Sequence, residues 1–161
     1  MFRIKKVDPN DLLTSQLYDE QSFYPRFLRD LRRCKREVII ECPYMTMPRT
    51  ALLKPMLKKL VKKGVKVRVH TRYPGHHDKL LRIQAYKATD ELKKIGVRVY
   101  YYYDYHHRKL AVLDGYIMYE GSLNILSQNK SREIMRRIES EQLTKQMIRF
   151  LHLKPWYSSI I

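Results

Sequence analysis

A histidine and a lysine two residues apart, His107 and Lys109, carry the most informative chemistry in this sequence. On an extended strand, residues two apart place their side chains on the same face. Ser122 and Asn124 share that spacing and follow closely along the chain. A histidine can attack phosphorus as a nucleophile while an ammonium group stabilises the phosphate charge. The arrangement therefore predicts a site that cleaves a phosphodiester.

The spacing continues beyond this pair in a fixed pattern. Four residues separate Lys109 from Asp114, and six separate Asp114 from the element Gly121–Asn124, which reads Gly-Ser-Leu-Asn. Together with His107, the pattern resembles the signature of the phospholipase D superfamily at every position, and the resemblance runs from about Leu17 to Leu151. It is closest to small bacterial members and helicase-attached modules with one copy of the motif. It implies a phospholipase D-like fold and phosphodiester hydrolysis.

Five residues of the motif receive roles in catalysis or substrate binding. The resemblance implies that His107 forms a covalent phosphohistidine, which water later hydrolyses. We expect Lys109 to bind non-bridging phosphate oxygens, and Ser122 and Asn124 to hydrogen-bond with the phosphate or an active-site histidine. Gly121 is expected to let the backbone approach the substrate closely.

Two carboxylates stand apart from these five residues. Asp114 lies five positions after Lys109, in a turn, so we expect a structural role, as the resemblance also implies. Glu133 is the candidate for orienting His107 through its second ring nitrogen. A helix-start carboxylate, or an ion pair with a neighbouring arginine, explains Glu133 equally well.

No metal and no other cofactor is expected, because carboxylates at metal-ligand spacing do not occur in the sequence. A metal-free route needs histidine as the nucleophile and, in its imidazolium form, as the acid for the leaving oxygen. One histidine cannot act on both sides of one phosphorus, and the His-x-Lys element occurs once. The resemblance to single-copy members therefore implies a homodimer in which two motifs meet.

The net charge of +17 favours a polyanionic partner, either nucleic acid or an anionic membrane surface. Between Tyr44 and His77 the sequence has nine lysines and arginines and no Asp or Glu. We interpret this window as a surface that follows a phosphate backbone, although an exposed helix explains any single lysine equally well. The candidate nucleic-acid contacts are Arg49, Lys58, Lys62, Arg72 and His76.

The sequence predicts a soluble, cytoplasmic protein. Cys34 and Cys42 match neither a zinc pattern nor a disulfide framework, and the N-terminus lacks the apolar segment of a signal peptide. No apolar run approaches the roughly 20 residues that span a bilayer.

The predicted fold is α/β: a single domain over residues 1–161, with a mixed, mainly parallel β-sheet flanked by helices. We expect residues 1–16 to form a lead-in arm or edge strand, and residues 153–161 a C-terminal tail. Hydrophobic periodicity and glycine positions predict the elements between them. The predicted helices are Asp19–Lys35, Thr50–Lys63, Asp78–Ile95 and Glu139–His152, and the predicted strands are Glu37–Cys42, Val65–His70, Val97–Tyr102, Lys109–Leu113 and Tyr116–Glu120.

Three functions compete at this point. The first is a metal-independent nuclease, and the second is a phospholipase D that acts on phosphatidyl head groups, helped by the apolar tail Pro155–Ile161. The third is a non-catalytic DNA-binding module, against which the intact motif argues. The tyrosine-rich run Tyr100–Tyr105 is interpreted first as a dimer interface and second as a surface that stacks on bases.

Overall fold

The strands of this chain form one mixed sheet. The computed structural model describes residues 9–153, without the Asp11 side chain, and within that range seven strands pair in the order β1-β7-β6-β5-β2-β3-β4. The strand β2 lies near the middle, and all its residues are buried. The strands are β1 (Gln16–Asp19), β2 (Glu37–Glu41), β3 (Lys66–Arg72), β4 (Arg98–Tyr102), β5 (Leu110–Leu113), β6 (Ile117–Gly121) and β7 (Ile134–Glu139).

Strand direction divides the sheet into two parts. The strands β2, β3 and β4 are parallel, because the helices α3 (Met47–Lys62) and α4 (Lys79–Lys94) carry the chain back between them. The other four pairings in the described sheet are antiparallel. The predicted mixed sheet flanked by helices is confirmed, but the expectation of a mainly parallel sheet is wrong. The turn between β5 and β6 and the longer loop between β6 and β7 reverse the chain direction without a crossover helix.

The N-terminal boundary differs from the prediction. Residues Gln16–Asp19 form the edge strand β1, paired with β7, and a single helical turn, α1 (Asn10–Leu13), precedes it. The helix predicted from Asp19 therefore begins later, as α2 (Phe23–Arg33). The Asp19 carboxylate accepts a hydrogen bond from the Ser22 backbone N–H at 2.8 Å, which holds the turn between strand and helix. The predicted arm before residue 9 lies outside the described residues.

Two predictions in the C-terminal half also need correction. Strand β7 was not predicted, and the helix expected from Glu139 is α5 (Glu141–Phe150), which begins after that strand ends. The Ser140 hydroxyl caps α5 by accepting the Leu143 N–H at 3.2 Å. The predicted tail beyond Leu153, including the apolar segment Pro155–Ile161, lies outside the described residues.

The remaining elements lie close to their predicted positions. Helix α4 begins after Asp78, whose carboxylate accepts the Leu81 N–H at 3.0 Å, and β5 and β6 are joined by the turn at Asp114-Gly115. Helix α3 begins at Met47 rather than Thr50. The proline in its first turn lacks only an N–H that would have no partner inside the helix.

Each face of the sheet is covered by helices. On one face, α2, α3 and α4 bury the larger cluster, where Phe23 and Phe27 each meet Tyr119 edge to face at 5.4 Å. On the other face, α5 covers a smaller cluster around Ile39 and Ile148. No helix in residues 9–153 is both long and apolar enough to cross a bilayer.

The strand directions bring the ends of several strands to the same side of the molecule. The carboxyl ends of β2, β3, β4 and β6 meet the amino ends of β5 and β7 at one edge, which we call the motif edge. The motif residues His107 and Lys109 immediately precede β5, and Ser122 immediately follows β6. The fold therefore places the two halves of the motif side by side.

Candidate functional site

His107 and Lys109 are in direct contact at the motif edge. The Lys109 Nζ lies 2.9 Å from the His107 Nδ1 and donates to the His107 carbonyl at 2.8 Å. His107 is exposed, whereas Lys109 is half-buried. The side chains are brought together as the spacing predicts, although both residues precede the regular part of β5.

The residue between them, Arg108, anchors the segment to the sheet. Its Nε donates to Glu41 Oε2 at 2.8 Å, and its Nη2 donates to Oε1 at 3.1 Å. Glu41 ends strand β2 and its side chain is completely buried, and Tyr102 donates its hydroxyl to the same carboxylate at 3.0 Å. A bidentate pair of this kind fixes both position and orientation. Sequence reasoning missed this anchor, whose visible signal is the acidic residue that follows the apolar run Val38–Ile40.

The surroundings of His107 favour the neutral form of its imidazole. Partial burial, followed by the positive charges of Lys109 and Arg72, lowers the pKa of His107. Burial also lowers the pKa of Lys109, and the negative charge available from Cys42 and Glu133 partly opposes that shift. A neutral imidazole is the form that can attack phosphorus.

Ser122 connects β6 to β7 and to the carboxylate of Glu133. Its N–H donates to the Ile134 carbonyl at 2.9 Å, and its Oγ accepts the Ile134 N–H at 3.1 Å. The hydrogen bond from the Ser122 hydroxyl is the main cause that lowers the pKa of Glu133, and the Lys109 charge contributes. In the single chain, the Glu133 carboxylate thus accepts the Ser122 hydroxyl and interacts with the charge of Lys109. It is Lys109 that lies beside Nδ1 of His107, the ring that Glu133 was expected to orient.

Gly121 is required by the packing of the two strands. A Cβ at this position would lie 2.2 Å from the Ile134 carbonyl oxygen and 2.9 Å from Met135 Sδ. Only a residue without a side chain fits there. Within the chain, the close approach that the motif glycine allows is therefore to β7.

Asn124 shapes the loop that follows β6. Its carbonyl accepts the N–H groups of Ser127 at 3.0 Å and Gln128 at 2.7 Å. Its Oδ1 is buried and has no hydrogen-bond partner within residues 9–153. A buried polar atom without a partner is costly, so this side chain is suited to meet a group that the single chain does not supply.

Asp114 lies at the opposite end of β5 from the motif edge. Its carboxylate accepts the backbone N–H groups of Lys35, Arg36 and Glu37 at 2.8, 2.8 and 2.9 Å. Its backbone adopts a positive φ of 53° in the turn between β5 and β6. These bonds tie that turn to the start of β2, in keeping with the structural role expected from the sequence.

Three of the five candidate nucleic-acid contacts belong to the motif edge. Arg49 Nε donates to the Gln128 carbonyl at 2.5 Å. Arg72 ends β3, and its guanidinium lies 5.3 Å from the centre of the Tyr105 ring. His76 is exposed in the short 3₁₀ turn that follows β3.

The other two candidates, Lys58 and Lys62, are exposed in the second half of α3. That helix starts at the motif edge and runs away from it. At 1.5 Å per residue, its last turn lies about 20 Å from its start. The structure therefore does not bring these two lysines together with His107.

Aromatic side chains surround the motif edge. Tyr103 and Tyr105 are 68% and 89% exposed, and the Tyr103 ring lies 4.7 Å from that of Tyr73. The Tyr44 ring meets His107 edge to face at 6.0 Å. Within the tyrosine-rich run, Tyr102 therefore points inward to Glu41 while its neighbours Tyr103 and Tyr105 remain available for contact.

A cavity of about 470 Å³ opens beside Lys109 on the α5 side of the sheet. Most of its lining is apolar, which gives it a different character from the cationic face of the site. The apolar lining residues are Leu17, Leu110, Ile134, Met147 and Leu151. Separately, no group of three or more His, Cys, Asp or Glu side chains in the described part of the chain is arranged to hold a metal ion.

A family profile matches this chain in sequence, and solved structures share its fold. The family profile described as "Cardiolipin synthase, PLD-like domain" matches residues 27–153. Nuc from Salmonella typhimurium, a phospholipase D family member, superposes with a TM-score of 0.71 and 17% identity, covering 85% of this chain and 90% of that chain. NucT from Helicobacter pylori superposes with a TM-score of 0.65 and 18% identity, covering 84% and 91%.

A larger protein shares the same fold. Phosphatidylserine synthase from Haemophilus influenzae superposes with a TM-score of 0.60 and 16% identity, covering 84% of this chain and 37% of that chain. No curated protein sequence gives a match. The profile covers most of the chain, and the fold agrees with it, so this chain belongs to the phospholipase D-like superfamily.

Proposed function

We propose that this chain is a metal-independent phosphodiesterase that hydrolyses nucleic acid, with His107 as its nucleophile. The observation that carries the proposal is the contact between His107 and Lys109 at an exposed edge. Slight burial and neighbouring positive charge lower the pKa of His107 and so favour the neutral form of its imidazole. A neutral nucleophile beside a cation that can bind phosphate oxygens is what the reaction needs.

Substrate binding prepares the nucleophile. As an ammonium group, Lys109 can only donate, so in the free chain it donates to Nδ1 of His107 and the neutral ring carries its proton on Nε2. A phosphate oxygen is a stronger acceptor than an imidazole nitrogen, so a bound phosphodiester draws Lys109 away. Once Nδ1 is vacated, the exposed ring can lose its Nε2 proton to water and gain one from water at Nδ1, which leaves the lone pair of Nε2 free to attack.

The proposed reaction has two steps. In the first, His107 Nε2 forms a bond to phosphorus, the bond from phosphorus to the leaving oxygen breaks, and an imidazolium on the far side gives that oxygen its proton. In the second, water cleaves the bond from nitrogen to phosphorus and returns its proton to the second imidazole. The second imidazole is His107 of another copy, so the proposal includes a homodimer whose motif edges face each other.

Nucleic acid is the preferred substrate because of charge and aromatic contacts. The net charge of +17 attracts a polyanion, and Arg72 lies against the exposed ring of Tyr105 at the motif edge. Exposed aromatic rings next to cations are typical of surfaces that bind single strands by stacking. Tyr103 and Tyr73, whose rings lie 4.7 Å apart, extend that surface.

The test is a substrate panel in excess EDTA: single-stranded DNA, duplex DNA and phosphatidylcholine vesicles. We expect cleavage of DNA by the wild type and loss of that cleavage in His107→Asn, because the nucleophile is removed. The matched control, His152→Asn, replaces an exposed histidine that has no part in the proposed site. Cleavage by His107→Asn at the wild-type rate would refute the assignment of the nucleophile. DNA binding without any cleavage would support the third function, a binding module.

A phospholipase D is the second candidate, favoured by one observation. The cavity of about 470 Å³ is lined by Lys109 together with several large apolar side chains, a combination that could hold both the phosphate and an acyl chain of a lipid. The likeness in fold to a phosphatidylserine synthase agrees with this reading. Cleavage of phosphatidylcholine alone in the panel would select this function over the nuclease.

A further inference from the structure

The edge opposite the motif edge carries a second concentration of positive charge. There α2, α3 and α4 end and β2, β3 and β4 begin, and we call this end of the molecule the basic edge. Each of the three helices has two basic residues in its last turn. These are Arg32 and Arg33, Lys59 and Lys62, and Lys93 and Lys94.

Two adjoining hollows, which share Val65, line the basic edge. The larger has a volume of about 630 Å³, and the smaller about 150 Å³. No Asp or Glu is found among the described residues that line either hollow. The larger is lined by Arg32, Arg33, Cys34, Lys35, Lys63 and Val65, and the smaller by Val61, Gly64, Val65, Lys66, Val67, Arg68, Gly96 and Arg98.

Three carboxylates near this edge have partners, and two of them pair with basic residues of the edge itself. Glu37 pairs with Arg68 at 2.7 Å and is buried. Asp114 accepts three backbone N–H groups, and Glu91 pairs with lysines of α3 and α4. Within residues 9–153, no carboxylate forms an ion pair with Arg32, Arg33 or Lys63, all of which are exposed.

The helix dipoles explain why some, but not all, of these basic residues lie at this edge. Basic residues in a last turn are favoured by the partial negative charge of a helix C-terminus. Lys35 and Lys63, however, lie outside the helices, in the segments that lead into β2 and β3, and Lys66 is the first residue of β3. Their charge adds to that of the helix ends and creates a field that attracts a polyanion.

We propose that the basic edge is a second nucleic-acid surface, which binds the phosphate backbone of duplex DNA. The hollows contain no aromatic side chain, so stacking on single-stranded bases has no support there. Exposed arginines and lysines alone are sufficient for backbone binding, which depends on charge. Membrane insertion needs exposed large apolar side chains, and the lining of these hollows has none.

The two surfaces are separate in space. The strands between them are about 20 Å long, so a phosphate at the basic edge does not contact His107 of the same chain. The basic edge therefore holds DNA without presenting the held segment to the motif edge. This inference does not require that the proposed cleavage occurs, because binding is measured on its own.

The test compares two charge-reversal variants of the full chain. Arg33→Glu/Lys63→Glu changes the basic edge, and Lys87→Glu/Lys145→Glu changes exposed lysines on the outer surfaces of α4 and α5 by the same total charge. Fluorescence anisotropy with a labelled duplex of about 20 base pairs is recorded over a range of salt concentrations. We expect affinity to fall at least about 10-fold in the first variant, with a salt slope smaller by about 2, and by less than about 3-fold in the control.

Two further measurements separate this inference from the proposed function. Hydrolysis of bis(p-nitrophenyl) phosphate, which is too small to reach both edges, should be unchanged in the basic-edge variant. His107→Asn should bind the duplex as the wild type does, because the basic edge is intact. If charge reversal unfolds the chain, as shown by circular dichroism, the neutral variant Arg33→Gln/Lys63→Gln takes its place, and its salt slope should also fall by about 2 because the same two phosphate contacts are lost.

Three outcomes would overturn the inference. Equal weakening in both charge-reversal variants would show that overall charge alone governs binding. Wild-type duplex affinity in the folded basic-edge variant would show that the edge takes no part. Binding to anionic vesicles that depends on Arg33 and Lys63, without binding to duplex, would assign the edge to membranes instead.

Discussion

The motif edge and the basic edge lie at opposite ends of the same strands, and both are rich in arginine and lysine. They differ in how their cations are held. At the motif edge, Arg108 is fixed by buried Glu41, Arg49 by a backbone carbonyl, and Lys109 by His107. At the basic edge, exposed Arg33 and Lys63 have no ion pair with a carboxylate in the described part of the chain. Bond-making at phosphorus requires fixed positions, whereas attraction of a phosphate backbone requires only charge.

The largest expected contrast comes from removing Lys109. In Lys109→Met, the side chain keeps its length but loses the charge that stabilises the transition state. We expect kcat/KM for bis(p-nitrophenyl) phosphate to fall by about 10³-fold. The control Lys130→Met, in an exposed loop, should retain most activity. If kcat/KM fell by less than about 3-fold in Lys109→Met, the motif edge would not differ from the basic edge in needing a cation at a fixed position.

The next effect concerns stability rather than chemistry. Asp114→Ala removes the acceptor of three backbone N–H groups at the start of β2. We expect the free energy of unfolding in urea to fall by about 3 kcal/mol, since each bond is made to a charged group and φ is positive there. The activity of the folded fraction should stay close to that of the wild type. A large loss of kcat in fully folded Asp114→Ala would give this residue a part in the chemistry.

A smaller effect is expected from replacing Arg108, the residue between His107 and Lys109. Arg108→Met breaks the pair with Glu41 and loosens the segment that carries His107 and Lys109. We expect kcat to fall about 10-fold with little change in KM, because the reacting groups lose their positions rather than their charge. Arg108→Lys should recover only part of the loss, since lysine cannot form the bidentate pair. Equal loss in Arg33→Met, at the basic edge, would contradict a positioning role.

The smallest effect is a shift in pH dependence. Arg72 lowers the pKa of His107, and protonation of that imidazole removes the nucleophile. Activity should therefore persist below the ordinary pH range for histidine protonation and fall as the solution becomes more acidic. In Arg72→Gln, loss of a positive neighbour makes protonation easier, so the acid limb of kcat/KM should move to higher pH. Arg33→Gln should leave the limb in place, and an equal shift there would indicate a general charge effect.

The sequence was sufficient to predict which motif residues come together, because the spacing of His107, Lys109 and Ser122 places them at one edge of a sheet. The sequence was also sufficient to predict the bounds of α4, because Asp78 caps its start and Gly96 follows its end. These features depend on neighbours along the chain. Local periodicity and turn residues therefore carry the information.

Features that depend on distant partners could not be predicted in this way. Strand β7 contains Arg137, whose buried guanidinium pairs with Asp30 of α2 at 2.6 Å, a contact that no local pattern shows. The acid-free window is continuous in sequence, yet α3 carries Lys58 and Lys62 away from the motif edge. The role of Glu41 likewise depends on Arg108, which is far away along the chain.

The strand β5 gives the motif spacing a physical length. Lys109 precedes it at the motif edge, Asp114 follows it at the other end, and the four residues between them are all buried. The number of residues between Lys109 and Asp114 thus equals the length of β5, which runs from one end of the sheet to the other. Removing one residue from it would shorten the strand by about 3.3 Å and turn the following side chains to the opposite face. The spacing in the motif therefore reflects the length of a buried strand as well as the positions of catalytic groups.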